Sequence, residues 1–119
     1  MAHIAIYEDD DLMRALLREW LSQAGYRVRE GVLHAARGGG TEDLVIASVS
    51  MPKQAGTQLA QVQAAHPGAP LIAISAQFRS GLSTAGAIAQ MLGVRRVLAK
   101  PLSRNDLLEA VRAIIGAPS

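Results

Sequence analysis

Five polar side chains stand where predicted strands end, and together they could form a reactive site. Glu8 and Asp9 follow the first apolar run. Ser48 and Ser75 close two later runs, and Lys100 follows the last one. Reactive groups gather at the carboxyl ends of the strands in a doubly wound sheet, so we expect these side chains to converge. Cysteine is absent from the chain, which excludes a thiolate nucleophile, and nothing in the set is an evident general base for a serine.

The elements that position these residues alternate between apolar runs and helical periodicity, which indicates an α/β domain with a parallel sheet. The five predicted strands are His3 to Tyr7, Tyr26 to Arg29, Leu44 to Val49, Leu71 to Ser75 and Val94 to Leu98. The first predicted helix places Leu12, Met13, Leu16, Leu17, Trp20 and Leu21 on one face. The glycines from Gly38 to Gly40 oppose a regular helix, so we expect the second helix to be short or degraded.

Three further helices complete the predicted pattern. A turn at Met51-Pro52 precedes a helix from about Thr57 to Ala65, and another helix ends near Gly93. Ser103 to Asp106 fits a capping box that opens the last helix, with Leu107, Leu108, Val111, Ile114 and Ile115 facing inward.

The composition predicts one packed domain over residues 1–119. Half of the residues are hydrophobic and 18% are charged, which excludes an intrinsically disordered chain. No apolar stretch is long enough for a signal peptide or for the roughly 20 residues of a membrane span. We therefore expect a cytoplasmic protein without a membrane segment. The net charge is +2, and no basic stripe with interleaved aromatics predicts nucleic-acid binding.

Four motifs carry a family resemblance. They are Ile-Tyr-Glu-Asp-Asp-Asp-Leu-Met-Arg at the first strand end, Asp-Leu-Val-Ile-Ala-Ser-Val-Ser-Met-Pro with Gly56 beyond it, Ile-Ser-Ala, and Ala-Lys-Pro-Leu. Together they span nearly the whole chain, which resembles the receiver domain of response regulators in two-component signalling. The resemblance implies a flavodoxin-like, doubly wound sheet of five parallel strands in the order 2-1-3-4-5, with helices on both faces.

The resemblance also implies roles for the residues at the strand ends. Glu8 and Asp9 would be the acidic pair that holds Mg²⁺, a cation that prefers oxygen ligands. Ser75 would hydrogen-bond the phosphoryl group. Lys100, followed by Pro101 where the family has a cis proline, would place its ammonium on the phosphoryl oxygens. Asp10 and Asp11 are interpreted as a solvated helix start, where carboxylates meet the helix dipole favourably.

The sequence departs from the family at the phosphoacceptor. Counting back from Met51-Pro52 places that position at Ser48, and a serine hydroxyl cannot form an acyl phosphate. Asp43 lies five residues earlier, about 16 Å away toward the other edge of the sheet, and cannot substitute. With one carboxylate fewer, we expect at most weak Mg²⁺ binding, no required cofactor, and a direct pair between Lys100 and either Glu8 or Asp9.

A second departure lies on the fifth strand. Val97 stands where the family often has an aromatic ring that reorients on activation. The sequence therefore predicts a pseudo-receiver: a non-catalytic, phosphorylation-independent signalling module with no catalytic residue. It would act through the face formed by the fourth predicted helix, the fifth strand and the last helix, near Arg95 and Arg96. Its partners would be a histidine kinase, a phosphotransfer protein or an effector domain of its own chain, with a homodimer also possible.

Two other functions fit the same fold less well. A phosphotransferase or phosphatase of the haloacid-dehalogenase type would use Asp9, Asp11, Ser75 and Lys100. That class expects a Thr between Asp9 and Met13, which is missing, and the chain has no room for a cap domain. A flavin-binding protein would need a Gly- or Ser-rich phosphate loop where the acidic cluster from Glu8 to Asp11 stands.

Overall fold

The structure, a computed structural model, describes residues 2–31, 42–49, 52–66, 68–75, 93–100 and 102–117. The strands are β1 (His3–Tyr7), β2 (Arg27–Gly31), β3 (Leu44–Ser48), β4 (Leu71–Ser75) and β5 (Arg96–Ala99). The helices within the described ranges are α1 (Asp11–Gln23), α2 (Pro52–Ala65) and α3 (Arg104–Ile115). All five strands pair in parallel in the order β2-β1-β3-β4-β5, which confirms the predicted doubly wound sheet.

The core has two layers because helices pack on both faces of the sheet. Every residue of the central strands β3 and β4 is buried, as expected for parallel strands covered on both sides. On one face, isoleucines of β1, β3 and β4 pack against Leu17 and Leu21 of α1 and Leu107 of α3. On the other face, smaller alanines and valines of the strands pack against Leu59 and Val62 of α2.

Helix α1 begins where Asp10 caps it. The Asp10 carboxylate accepts hydrogen bonds from the backbone N–H groups of Leu12 and Met13, which satisfies donors that have no partner inside the helix. The predicted apolar face is confirmed at Leu17 and Leu21, which are buried, but the prediction was wrong for Leu12, which is 71% exposed. Met13, the next residue in the same turn, packs against the core instead.

Several predicted boundaries differ from the structure. Strand β2 spans Arg27–Gly31 rather than Tyr26 to Arg29, and β3 ends at Ser48 rather than at Val49. Helix α2 begins at Pro52 rather than near Thr57, because proline has a fixed φ and lacks the N–H that the first turn would leave unpaired. Strand β5 begins at Arg96 rather than at Val94, although Arg95 already donates to the carbonyl of Leu71. The predicted short second helix at residues 32–41, the predicted helix that ends near Gly93, and Pro101 lie outside the described residues. No helix in the described ranges is long and apolar enough to cross a membrane.

The predicted cap of the last helix is confirmed. The Ser103 hydroxyl accepts a hydrogen bond from the backbone N–H of Asp106 at 3.0 Å. We expect Ser103→Ala to lower the free energy of unfolding by about 1 kcal/mol, because that N–H loses its acceptor. Urea unfolding measures the loss. Ser103→Asn keeps a capping oxygen and serves as the control, so an equal loss in both variants would contradict this role.

Candidate functional site

The predicted site residues lie at one edge of the sheet. Ser48 and Ser75 are the last residues of β3 and β4, while Glu8 and Lys100 directly follow β1 and β5. The parallel register pairs Tyr7 with Ala47, Ser48 with Ile74 and Ser75 with Ala99. Because the strands all run in the same direction, their carboxyl ends form a single edge on which these side chains are placed.

An ion pair crosses this edge. The Lys100 ammonium lies 3.1 Å from Oε2 of Glu8, whose side chain is 4% exposed, while that of Lys100 is 25% exposed. β1 and β5 are separated by β3 and β4, so the two backbones are about 14 Å apart at the usual strand spacing. The two side chains therefore bridge that gap across the ends of the strands that carry Ser48 and Ser75.

Two contacts that were not expected from the sequence hold Glu8 in place. The backbone N–H of Asp10 donates to Oε1 of Glu8 at 3.0 Å, and Arg14 donates from its guanidinium to the Glu8 carbonyl at 3.2 Å. Both contacts come from the start of α1. The helix cap at Asp10 was the one sequence signal that could have predicted the first of them, because capping fixes the backbone that follows Glu8.

The acidic cluster divides into separate structural roles. Glu8 is buried and pairs with Lys100, whereas Asp9 is exposed, so the ion pair that the sequence left open forms with Glu8. Asp10 caps α1, and Asp11 forms an ion pair with Arg14 at 2.5 Å. The interpretation of Asp10 and Asp11 as a helix start is confirmed.

The two serines at the strand ends are buried. Ser48 is 7% exposed and Ser75 is 1% exposed. The Ser75 carbonyl accepts a hydrogen bond from the backbone N–H of Lys100 at 3.2 Å, which continues the sheet ladder to the residue that carries the ammonium. Asp43 accepts a hydrogen bond from the backbone of His3 at the opposite end of the sheet, so it supplies no carboxylate to this edge.

The donor atoms at this edge do not fit a resident Mg²⁺. Both side-chain oxygens of Glu8 already accept hydrogen bonds, from Lys100 and from the backbone of Asp10. A hard cation needs further oxygen ligands, and Ser48 offers a neutral hydroxyl where a third carboxylate would stand. The described ranges contain no cluster of three or more His, Asp or Glu side chains suited to a metal ion.

The fold agrees with a comparison of the chain with known families. A family profile described as the response regulator receiver domain matches residues 4–112. The chain belongs to the receiver-domain family. No match is found among curated protein sequences. The family match favours the receiver interpretation over a phosphotransferase of the haloacid-dehalogenase type.

Three solved structures illustrate the shared fold. The non-phosphorylated HemR receiver domain from Leptospira biflexa has a TM-score of 0.77 and 21% identity over 100% of this chain and 98% of its own. The chemotaxis protein CheY4 from Vibrio cholerae has a TM-score of 0.74 and 20% identity over 96% of this chain and 98% of its own. A response regulator receiver protein from Burkholderia phymatum has a TM-score of 0.73 and 22% identity over 100% and 98%.

In this receiver domain, the residue that stands where the family often has an aromatic ring, Val97, is part of the core. Val97 is 7% exposed and packs in the layer of the core that faces α2. The neighbouring arginines Arg95 and Arg96 are exposed. A buried valine has no ring that could move between an inward and an outward position, so the role of Val97 as a degenerate switch stays a prediction from the family resemblance.

Proposed function

We propose that this receiver domain transmits a signal in a two-component system without being phosphorylated at position 48. The observation that carries the proposal is the ion pair between Lys100 and Glu8, which lies across the strand end where Ser48 replaces the expected aspartate. The family resemblance assigns Lys100 to the phosphoryl oxygens. Here its ammonium is already paired with the buried carboxylate of Glu8, so it has a counter-charge with no phosphoryl group.

The chemistry of Ser48 supports the same proposal. A hydroxyl cannot become an acyl phosphate, and a serine nucleophile requires a neighbouring base to remove its proton. The ammonium of Lys100 is engaged with Glu8, and a cation in an ion pair is not a proton acceptor. We therefore propose a non-catalytic module that requires no Mg²⁺ and in which Ser75 and Lys100 are remnants of a phosphoryl-contact pair.

Signalling would then depend on contacts with other proteins. The surface near Arg95 and Arg96, on the segment that enters β5, is the proposed contact face, together with the last helix and the preceding predicted helix. A histidine kinase, a phosphotransfer protein, an effector domain or a second copy of this chain could bind there. The proposal places the domain in the cytoplasm, where such partners act.

The test is exposure of the receiver domain to Mg²⁺ with acetyl phosphate or beryllofluoride. We expect no phosphoryl adduct by intact-mass measurement and no saturable amide shifts around Ser48 by NMR, because no carboxylate stands at position 48 to receive either group. A receiver domain with an intact aspartate, treated in parallel, is the positive control. A phosphoryl adduct, or saturable shifts at low millimolar Mg²⁺ with beryllofluoride, would contradict the proposal.

A further inference from the structure

Strand β2 lies at the edge of the sheet, and half of its backbone groups point outward. Among the residues that the structure describes, β2 pairs with β1 alone. The backbone N–H of Arg27 donates to the carbonyl of Ala2, so Arg27 points its backbone groups toward β1. Successive residues of a strand with one parallel neighbour point these groups in opposite directions. The N–H and C=O groups of Val28 and Glu30 therefore face away from β1, as a template for a further strand.

Arginines flank this outer edge on both faces of the sheet. Val28 packs in the core layer that contains α1, so Arg27 and Arg29 point to the opposite face, and both are exposed. On the α1 face, the Arg18 side chain is 59% exposed and lies 3.1 Å from Glu30. A chain that lies along β2 would therefore meet guanidinium groups on either side of its backbone.

A groove at this edge collects these charges. It has a volume of about 490 Å³, and the charged side chains that line it are Arg18, Arg27, Arg29 and Glu42. The single carboxylate among them is 6% exposed and already contacts Arg29 at 2.7 Å, so the charge that faces water is mainly positive. Guanidinium groups bind carboxylates through paired hydrogen bonds. The groove is therefore complementary in charge to an acidic ligand.

We propose that the outer edge of β2 binds an extended acidic segment of a partner protein, which adds to the sheet as a further strand. The backbone groups of Val28 and Glu30 supply the main-chain hydrogen bonds, and the alternating side chains of the segment supply specificity. Its acidic residues point toward Arg27 and Arg29, and its neutral residues point toward Val28. Strand β5 lies at the opposite edge of the sheet, so this inference and the contact face near β5 can fail independently.

The charges on β2 argue against a second copy of this chain as the occupant. Charged side chains on an edge strand usually hinder pairing with other strands. Two antiparallel copies of β2 related by a two-fold axis would place Arg27 and Arg29 of one copy opposite those of the other, and like charges in that position are destabilising. The same arginines attract a segment of opposite charge.

The groove is also a poor site for single-stranded nucleic acid. Such ligands stack their bases on exposed aromatic rings. The aromatic side chain that lines the groove is that of Tyr26, which is 3% exposed. A nucleic acid would also leave the outward N–H and C=O groups of β2 without the regular partners that a peptide backbone offers. An acidic peptide uses both the backbone pattern and the charge.

The test is an amide NMR titration of the wild type with a capped peptide that alternates glutamate with valine. In the free protein, the amides of Val28 and Glu30 should exchange rapidly with solvent, whereas those of Arg27 and Arg29 are protected by β1. The peptide should shift the Val28 and Glu30 amides saturably and protect them from exchange. A capped peptide that alternates lysine with valine should have no effect.

Three results of this titration would overturn the proposal. One is protection of the Val28 and Glu30 amides in the free protein at every protein concentration, because the edge would then be paired within the chain. Another is protection that rises with protein concentration without peptide, because two copies would then pair. The third is the absence of saturable shifts with the acidic peptide, or equal shifts with a single-stranded oligonucleotide.

Variants separate the charge from the backbone. Arg27→Ser should weaken binding of the acidic peptide about fivefold, as expected for one exposed ion pair. Arg104→Ser, which removes an exposed arginine at the start of α3, is the matched control and should bind as the wild type does. Val28→Pro removes an outward N–H, which an edge strand tolerates, and should weaken binding about tenfold. Val28→Ala controls for the lost side chain. Equal binding by Arg27→Ser and Arg104→Ser would contradict the proposal, whether or not Val28→Pro folds.

Discussion

Ser48→Asp is expected to convert this receiver domain into one that takes up a phosphoryl group from acetyl phosphate in the presence of Mg²⁺. Aspartate supplies the carboxylate that the end of β3 lacks, and it stands beside Glu8, Asp9, Ser75 and Lys100, which the family resemblance assigns to the rest of the phosphorylation site. The wild type is expected to show no adduct, so the change is from no reaction to measurable modification by intact-mass spectrometry.

The free energy of unfolding of Ser48→Asp is expected to depend on Mg²⁺. Without metal, a second carboxylate near the buried side chain of Glu8 should lower the free energy of unfolding by about 1 kcal/mol or more, since like charges repel. Binding of Mg²⁺ to the folded state should recover this loss, and the gain is about 2.7 kcal/mol when the metal is at one hundred times its Kd. Thermal unfolding of both forms with and without Mg²⁺ measures this gain.

Ser48→Asn is the matched control for both measurements. Asparagine has nearly the shape of aspartate but offers neither a phosphoacceptor nor a charged ligand, so it should show no adduct and no response to Mg²⁺. If Ser48→Asp also shows neither, the residues around Ser48 are not an inherited phosphorylation site. Phosphorylation of the variant should leave the surface near Arg95 largely unchanged in amide NMR, because Val97 offers no aromatic ring to reorient.

Lys100→Met is expected to destabilise the fold by about 2–3 kcal/mol. Glu8 would remain as a buried charge whose Oε2 has lost the Lys100 donor, and removal of one partner from a buried ion pair costs about 3–5 kcal/mol. The Lys100 side chain is 25% exposed, so water screens part of the interaction and the expected loss lies at or below the lower end of that range. Chemical denaturation at neutral pH measures the loss.

A double variant distinguishes the loss of the ion pair from the loss of packing by the Lys100 side chain. Glu8→Gln combined with Lys100→Met removes both charges, so we expect it to recover most of the stability that Lys100→Met loses. Arg18→Met is the surface control, because it breaks an ion pair with Glu30 in which the Arg18 side chain is 59% exposed, and such pairs contribute at most about 1 kcal/mol. If Lys100→Met costs no more than Arg18→Met, the pair with Glu8 does not stabilise this edge.

The sequence by itself determined the elements whose signals are local. Strands β1 and β4 have the predicted bounds, because each is a short apolar run with a polar residue at its end. The cap at Ser103 was predictable for the same reason, since it depends on residues three positions apart. The placement of Ser48 at a strand end and the strand order also followed, the latter from family resemblance rather than from residue properties.

The tertiary structure decided which groups meet. Helical periodicity placed Leu12 on the apolar face of α1, but only packing shows that the sheet does not cover it. The sequence left Glu8 and Asp9 as equal partners for Lys100, and the burial of Glu8 decided between them. The buried contact between the Tyr7 hydroxyl and Nε2 of His66 was not predicted at all: Tyr7 was placed at the end of a strand, and the two residues are 59 positions apart. Periodicity and capping depend on neighbours along the chain, whereas such contacts depend on which elements the fold packs together.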